Sequence, residues 1–140
     1  MSDEVIPANV SALVDAIRRG SRTLAAMSED RERVRSVVYD VGHAVSLHIA
    51  PNTAIASVVP GGHMHVVTPT TLVLFVRGKE YTVCEWHESD SVFPITMKTT
   101  DGLVYHASSE ASLRAKMESL LSSRLFAELM RKITSAVKGP

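Results

Sequence analysis

The chain has 140 residues, 45% of them hydrophobic and 21% charged, with 15 Lys and Arg balanced by 15 Asp and Glu. That length buries roughly two-thirds of the unfolded chain's surface in one domain, the composition is too apolar for intrinsic disorder, and there is no basic excess to neutralise nucleic-acid phosphates. A single cysteine, Cys84, excludes an internal disulfide and a multi-cysteine zinc site, and neither a secretory signal nor an apolar run of membrane length is visible, so a soluble, cytoplasmic, single-domain protein (1–140) is expected.

From 9 to 27, Val10, Leu13, Val14, Ile17, Leu24 and Met27 recur at helical spacing, with Asp15, Arg18, Arg19 and Arg22 off the stripe and Gly20 weakening it. A stripe of this kind reads first as a docking face against its own domain, and second as a partner surface. Arg18 and Arg22 are one turn apart and suited to hold an anion, which makes them candidate binding residues. Ser28 before Glu29 and Asp30 resembles a helix start, because a serine oxygen accepts from a free amide and acids suit the positive helix end.

The next segment fits two periods. Val34, Val37, Val38, Val41, Val45 and Ile49 are helical in spacing, whereas Val37, Tyr39, Val41, His43, Val45, Leu47 and Ile49 alternate strictly. The abundance of valine and Gly42 favour extended chain, so a short helix over 29–35 and a strand to about 49, bent near 40–42, are expected. Strands follow at 54–59, with 63–67 as hairpin partner and edge strand, at 72–76 and 80–86 around an Arg77-Gly78-Lys79 turn, and at 92–98 and 103–107 around Thr99-Thr100-Asp101-Gly102. Two helices end the chain. Ser108 and Ser109 precede one carrying Leu113, Met117, Leu120 and Leu121, and Ser122-Ser123 restarts a second with Phe126, Leu129, Met130, Ile133 and Val137 on one face. The expected fold is α+β: one or two N-terminal amphipathic helices, a central antiparallel sheet or small curled barrel of six to eight strands, and two C-terminal helices packed on it.

All six histidines, His43, His48, His63, His65, His87 and His106, fall within the expected strand region. His63 and His65 point to one side of a strand, so two imidazoles can meet one metal ion, with a third ligand from His87, His48, His106 or Glu85. The Gly61-Gly62-His63-Met64-His65 segment with its later Gly78 turn resembles part of the first cupin motif, which implies a metal-binding barrel. Thr70 or Thr71 stands where that motif has a carboxylate, and no second motif follows. His87-Glu88-Ser89 and His106-Ala107-Ser108 resemble the paired His-x-Ser/Thr units of two-histidine phosphoesterases. Mid-strand Cys84 reads as an inert core thiol, and Trp86 near its strand end as an anchor for a partner or ligand.

No phosphate loop, dinucleotide fingerprint, nucleophile elbow or His-Glu-x-x-His is present, and aromatics at 5% are too few for a single-strand stacking platform. The expectation is therefore a small non-enzymatic binding or assembly module, meeting a protein partner or a second copy and needing no cofactor, nucleic acid or membrane. The alternative is a metal-binding protein or metal-dependent enzyme holding a divalent transition metal at His63, His65 and His87.

Overall fold

The structure, a computed structural model, describes residues 7–60 and 70–137. One helix, α1, runs unbroken from Ala8 to Ile49 over 42 residues, so the helix start at Ser28 and the strand over 36–49 are both corrected. Val34, Val37, Val38, Val41 and Val45 are buried while Tyr39 and Leu47 stand 71% and 68% exposed. A strand would have placed Tyr39 and Leu47 beside Val41 and Val45; the 3.6-residue period separates them. Valine's modest helix penalty is outweighed because each of the five valines buries its side chain against the sheet. Pro51 lies two residues past the end of α1, where a missing amide prevents continuation.

The sheet is an antiparallel meander, β1 (Ala54–Pro60), β2 (Thr70–Val76), β3 (Lys79–Ser89), β4 (Val92–Lys98) and β5 (Val104–Ala107), ordered as in the sequence. It has five strands instead of six to eight, and it is open instead of a barrel. Part of the shortfall is the stretch taken by α1. The expected partner of β1, residues 63–67, lies outside the described residues, and β1 pairs with β2 along its whole length, from Ala54↔Val76 to Pro60↔Thr70. Closure would require β1 to pair with β5, but α1 occupies β1: the Ser46 hydroxyl donates to the Ala54 carbonyl (3.0 Å) and accepts from its amide (2.8 Å). Gly42 lies so close that a Cβ there would stand 2.6 Å from the Ala56 nitrogen.

The turns follow local chemistry. Arg77 (φ 49°) and Gly78 (φ 80°) form a two-residue left-handed connection between β2 and β3 at the expected Arg77-Gly78-Lys79 turn, with Lys79 already in β3. Gly102 (φ 90°) turns the chain between β4 and β5, where the Thr99 hydroxyl bonds the Asp101 carboxylate and the Leu103 backbone. One face of the sheet carries Leu72, Leu74, Cys84, Trp86, Ile95, Met97 and Ala107 into a core shared with the α1 valines and with Leu113, Met117 and Leu120 of α2 (Glu110–Leu121). Phe126 and Ile133 of α3 (Arg124–Val137) complete it. The two C-terminal helices start at serines, as expected: Ser109 accepts from the Ser112 amide and Ser123 from the Phe126 amide, each at 3.2 Å. Among the described residues, no helix is long and apolar enough to cross a membrane.

Candidate functional site

The body of the fold uses only the second half of α1. An ion-pair cluster marks where the helix leaves the body: Arg114 of α2 bonds Asp40 at 2.8 Å and Glu110 at 3.6 Å, and Arg33 approaches Glu110 at 4.0 Å. The hydrogen bond that Arg114 donates to Asp40, and then the Asp40 charge, raise the Arg114 pKa above the ordinary guanidinium value, although water screens these surface pairs. N-terminal to this point, residues 8–27 form an arm about 30 Å long at 1.5 Å per residue.

The arm's apolar stripe does not dock on its own domain, which corrects the first reading of it. Val10 is 38% exposed, Leu13 64%, Ile17 69% and Leu24 64%; Met27, at the base, is partly buried against the core. The stripe steps by three and four residues through Val10, Leu13, Ile17, Gly20, Leu24 and Met27. Past Arg31 the same steps pass through Val34, Val38, Val41 and Val45, all buried on the sheet. One periodic seam thus runs the length of α1, with its distal half uncovered by any described residue. The sequence carried this signal in the continuity of the steps, which the presumed break at Ser28 hid.

The expected site residues are placed as follows. Arg18 and Arg22 are exposed on the arm, off the stripe, and neither forms an ion pair within the described residues. Trp86 has 0% exposure and donates its indole N–H to Glu88 at 3.2 Å, so it is a core residue and not a surface anchor. The strand-end position suggested the anchor, but β3 continues to Ser89 and keeps Trp86 interior. His63 and His65, and with them most of the cupin-like segment, lie outside the described residues. His87 is 47% exposed beside Glu85 at 3.6 Å.

The other histidines do not gather on the sheet. His43 and His48 are on α1, where His43 stacks on Tyr39 with ring centroids 6.3 Å apart. His87 and His106 flank Thr96 in one row across β3, β4 and β5 on the open face, with Thr96 Oγ1 and His106 Nδ1 3.2 Å apart. Two strand spacings separate the two imidazole-bearing strands by about 10 Å. Among the described residues, no group of three His, Cys, Asp or Glu side chains is placed to share a metal ion.

Two of the depressions among the described residues have the volume of a small-molecule site. One of about 720 Å³ lies between α1 and the ends of β1 and β2, lined by Arg31, Val34, Arg35, Val38, Val58 and Glu88. The other, of about 640 Å³, lies between α1 and α3 over Val45, Phe126 and Met130, with His48 and Arg131 at its rim. Every buried side-chain polar atom among the described residues has a partner, so no unsatisfied group is aimed into either.

Cys84 is inert. Burial first, and the neighbouring Glu85 charge second, push its thiol up to about 12. Native protein at mildly alkaline pH is expected to resist iodoacetamide while urea-unfolded protein is alkylated readily; alkylation of the folded protein at a free-thiol rate would disprove this. Because the folded pKa lies above the unfolded value of 9.0, stability is whole below pH 9 and falls as pH rises from there to about 12. The slope is at most about 1.4 kcal/mol per pH unit, and it is absent in Cys84→Ala.

The chain matches no protein-family model, no curated protein and no solved structure.

Proposed function

We propose that this protein is a non-enzymatic assembly module whose protein contacts are made by the arm of α1. The observation that supports the reading is the exposure of Leu13, Ile17 and Leu24, each above 60%, in one helical stripe that is continuous with a buried one. Scattered exposed leucines need no explanation, but a periodic row of them on a projecting helix does. The outer sheet face is mixed, with Glu85, His87, Lys98 and His106 beside exposed Ile55 and Val104, and it carries no periodic apolar row like that of the arm. A helix partner lying along the stripe removes these side chains from water and leaves Arg18, Arg19 and Arg22 on the outer face.

The test is photo-cross-linking in the source cell with a benzophenone side chain at Ile17, and at Arg22 as the outer-face control. Protein adducts are expected at position 17, with several-fold fewer at 22. Equal labelling at both positions, or none at either, removes the reading.

A further inference from the structure

The surface that needs an occupant is the distal half of the α1 seam, and its chemistry says which helix fits. We infer that the occupant is a second copy of this chain, the two arms packed antiparallel with Ile17 of each seated against the partner's Gly20. This inference rests on the assembly reading and names its partner.

Three observations carry it. The stripe fills six consecutive positions of a 3.5-residue repeat over the 18 residues from Val10 to Met27. The chain's own other helices are not available, because the stripes of α2 and α3 (Leu113, Met117, Leu120, Phe126 and Ile133) are already buried on the sheet. Residues flanking the seam are small and uncharged, Val14, Ala16, Ser21 and Thr23, so nothing repels an identical helix and no flanking charge marks a different one. The arm, residues 8–27, carries Arg18, Arg19 and Arg22 against Asp15, so an anionic membrane surface is the competing occupant, and the vesicle outcome below separates it from self-pairing.

Orientation follows from Gly20. Val10 and Ile17 alternating with Leu13 would suit a parallel pair, but in-register packing sets Gly20 on Gly20 and leaves a hole in the middle of the seam. Reversing one helix sets Ile17 on the partner's Gly20, where no heavy atom within 4 Å occupies the missing side chain's place. The same shift brings Leu13 to the partner's Leu24 and Val10 to the partner's Met27, so every layer is filled. Val14 and Ala16 then face the partner's Ser21 and Thr23, which allow close approach. The contact is isologous and closes on itself, with the sheet bodies at opposite ends.

The experiment uses the full chain with Leu13→Cys and Leu24→Cys as separate variants, Cys84 being buried and unreactive. Sedimentation should give twice the 15.2 kDa chain mass for the wild type, and the monomer for Ile17→Asp with unchanged thermal unfolding of the body. Under mild oxidation the mixture of the two cysteine variants should form a disulfide dimer, while each alone should not. Adding Gly20→Leu, which favours any helix and fills a parallel seam, should cut the mixed cross-link several-fold. Cross-linking of either variant alone, a stronger mixed cross-link with Gly20→Leu, a monomeric wild type, or co-sedimentation of the arm with anionic phosphatidylserine vesicles each overturns the proposal. A monomer in solution whose position 17 still captures protein in the cell removes self-pairing and leaves the assembly reading standing; loss of both removes both.

Discussion

Trp86→Ala is expected to lower the unfolding free energy by about 3–5 kcal/mol, read as a shift of the urea midpoint, and to lower Tm by on the order of 10 °C or more. Trp86 is the largest fully buried side chain, central in the row that runs from Thr70 through Trp86 to Met97 across β2, β3 and β4. The substitution removes the indole and leaves a cavity bounded by a sheet and helices that collapse only partly. The polar loss is secondary, because Glu88 is exposed and regains water when the indole N–H is gone. Trp86→Phe keeps most of the apolar area and is expected to cost about half as much or less. A Trp86→Ala protein that unfolds at the wild-type urea concentration would contradict the core placement of this side chain.

The second large effect comes from one glycine, by contrast with another in the same helix. Gly42→Ala is expected to destabilise by about 2 kcal/mol, because the new methyl would stand 2.6 Å from the Ala56 nitrogen and 3.3 Å from the Ile55 backbone, neither of which can rotate away. The helix gains up to about 1 kcal/mol from losing a glycine, and the displacement of α1 from β1 outweighs it. Gly20→Ala meets no atom within 4 Å, so there only the propensity acts, and arm helicity by circular dichroism should rise. Equal signs for the two substitutions would show that α1 does not rest on the β1 backbone.

Gly42 also explains how the sequence misled. A glycine in a valine-rich alternating stretch reads as a bend in a strand, yet it is there because the helix must touch a strand's backbone. Val37, Val41 and Val45 satisfy both periods, since a step of four is also an even step. Only Val34 and Val38 inside, with Tyr39 and Leu47 outside, separate the two readings, and that separation depends on tertiary burial. Local chemistry was legible wherever it decided the outcome: Arg77-Gly78 requires a left-handed turn, and Ser109 and Ser123 open helices because their hydroxyls bind free amides. Strand count and closure were not legible, being set by α1 lying on β1. At the candidate site the apolar spacing from Val10 to Met27 was visible, but the reach of the helix beyond its body was not, because length alone does not say where packing stops.

The hydroxyl of Ser46 has a further consequence at the scale of many molecules. By taking both the amide and the carbonyl of Ala54, it closes one end of β1, the outermost of the described strands, to addition of a foreign strand, and β5, at the opposite border, offers only four residues. Strand addition is open-ended, each new strand presenting another border, and is the route to fibres. With one border partly closed and the other short, a chain that met its own kind through a closing helical contact would respond to crowding with finite particles instead of growing filaments.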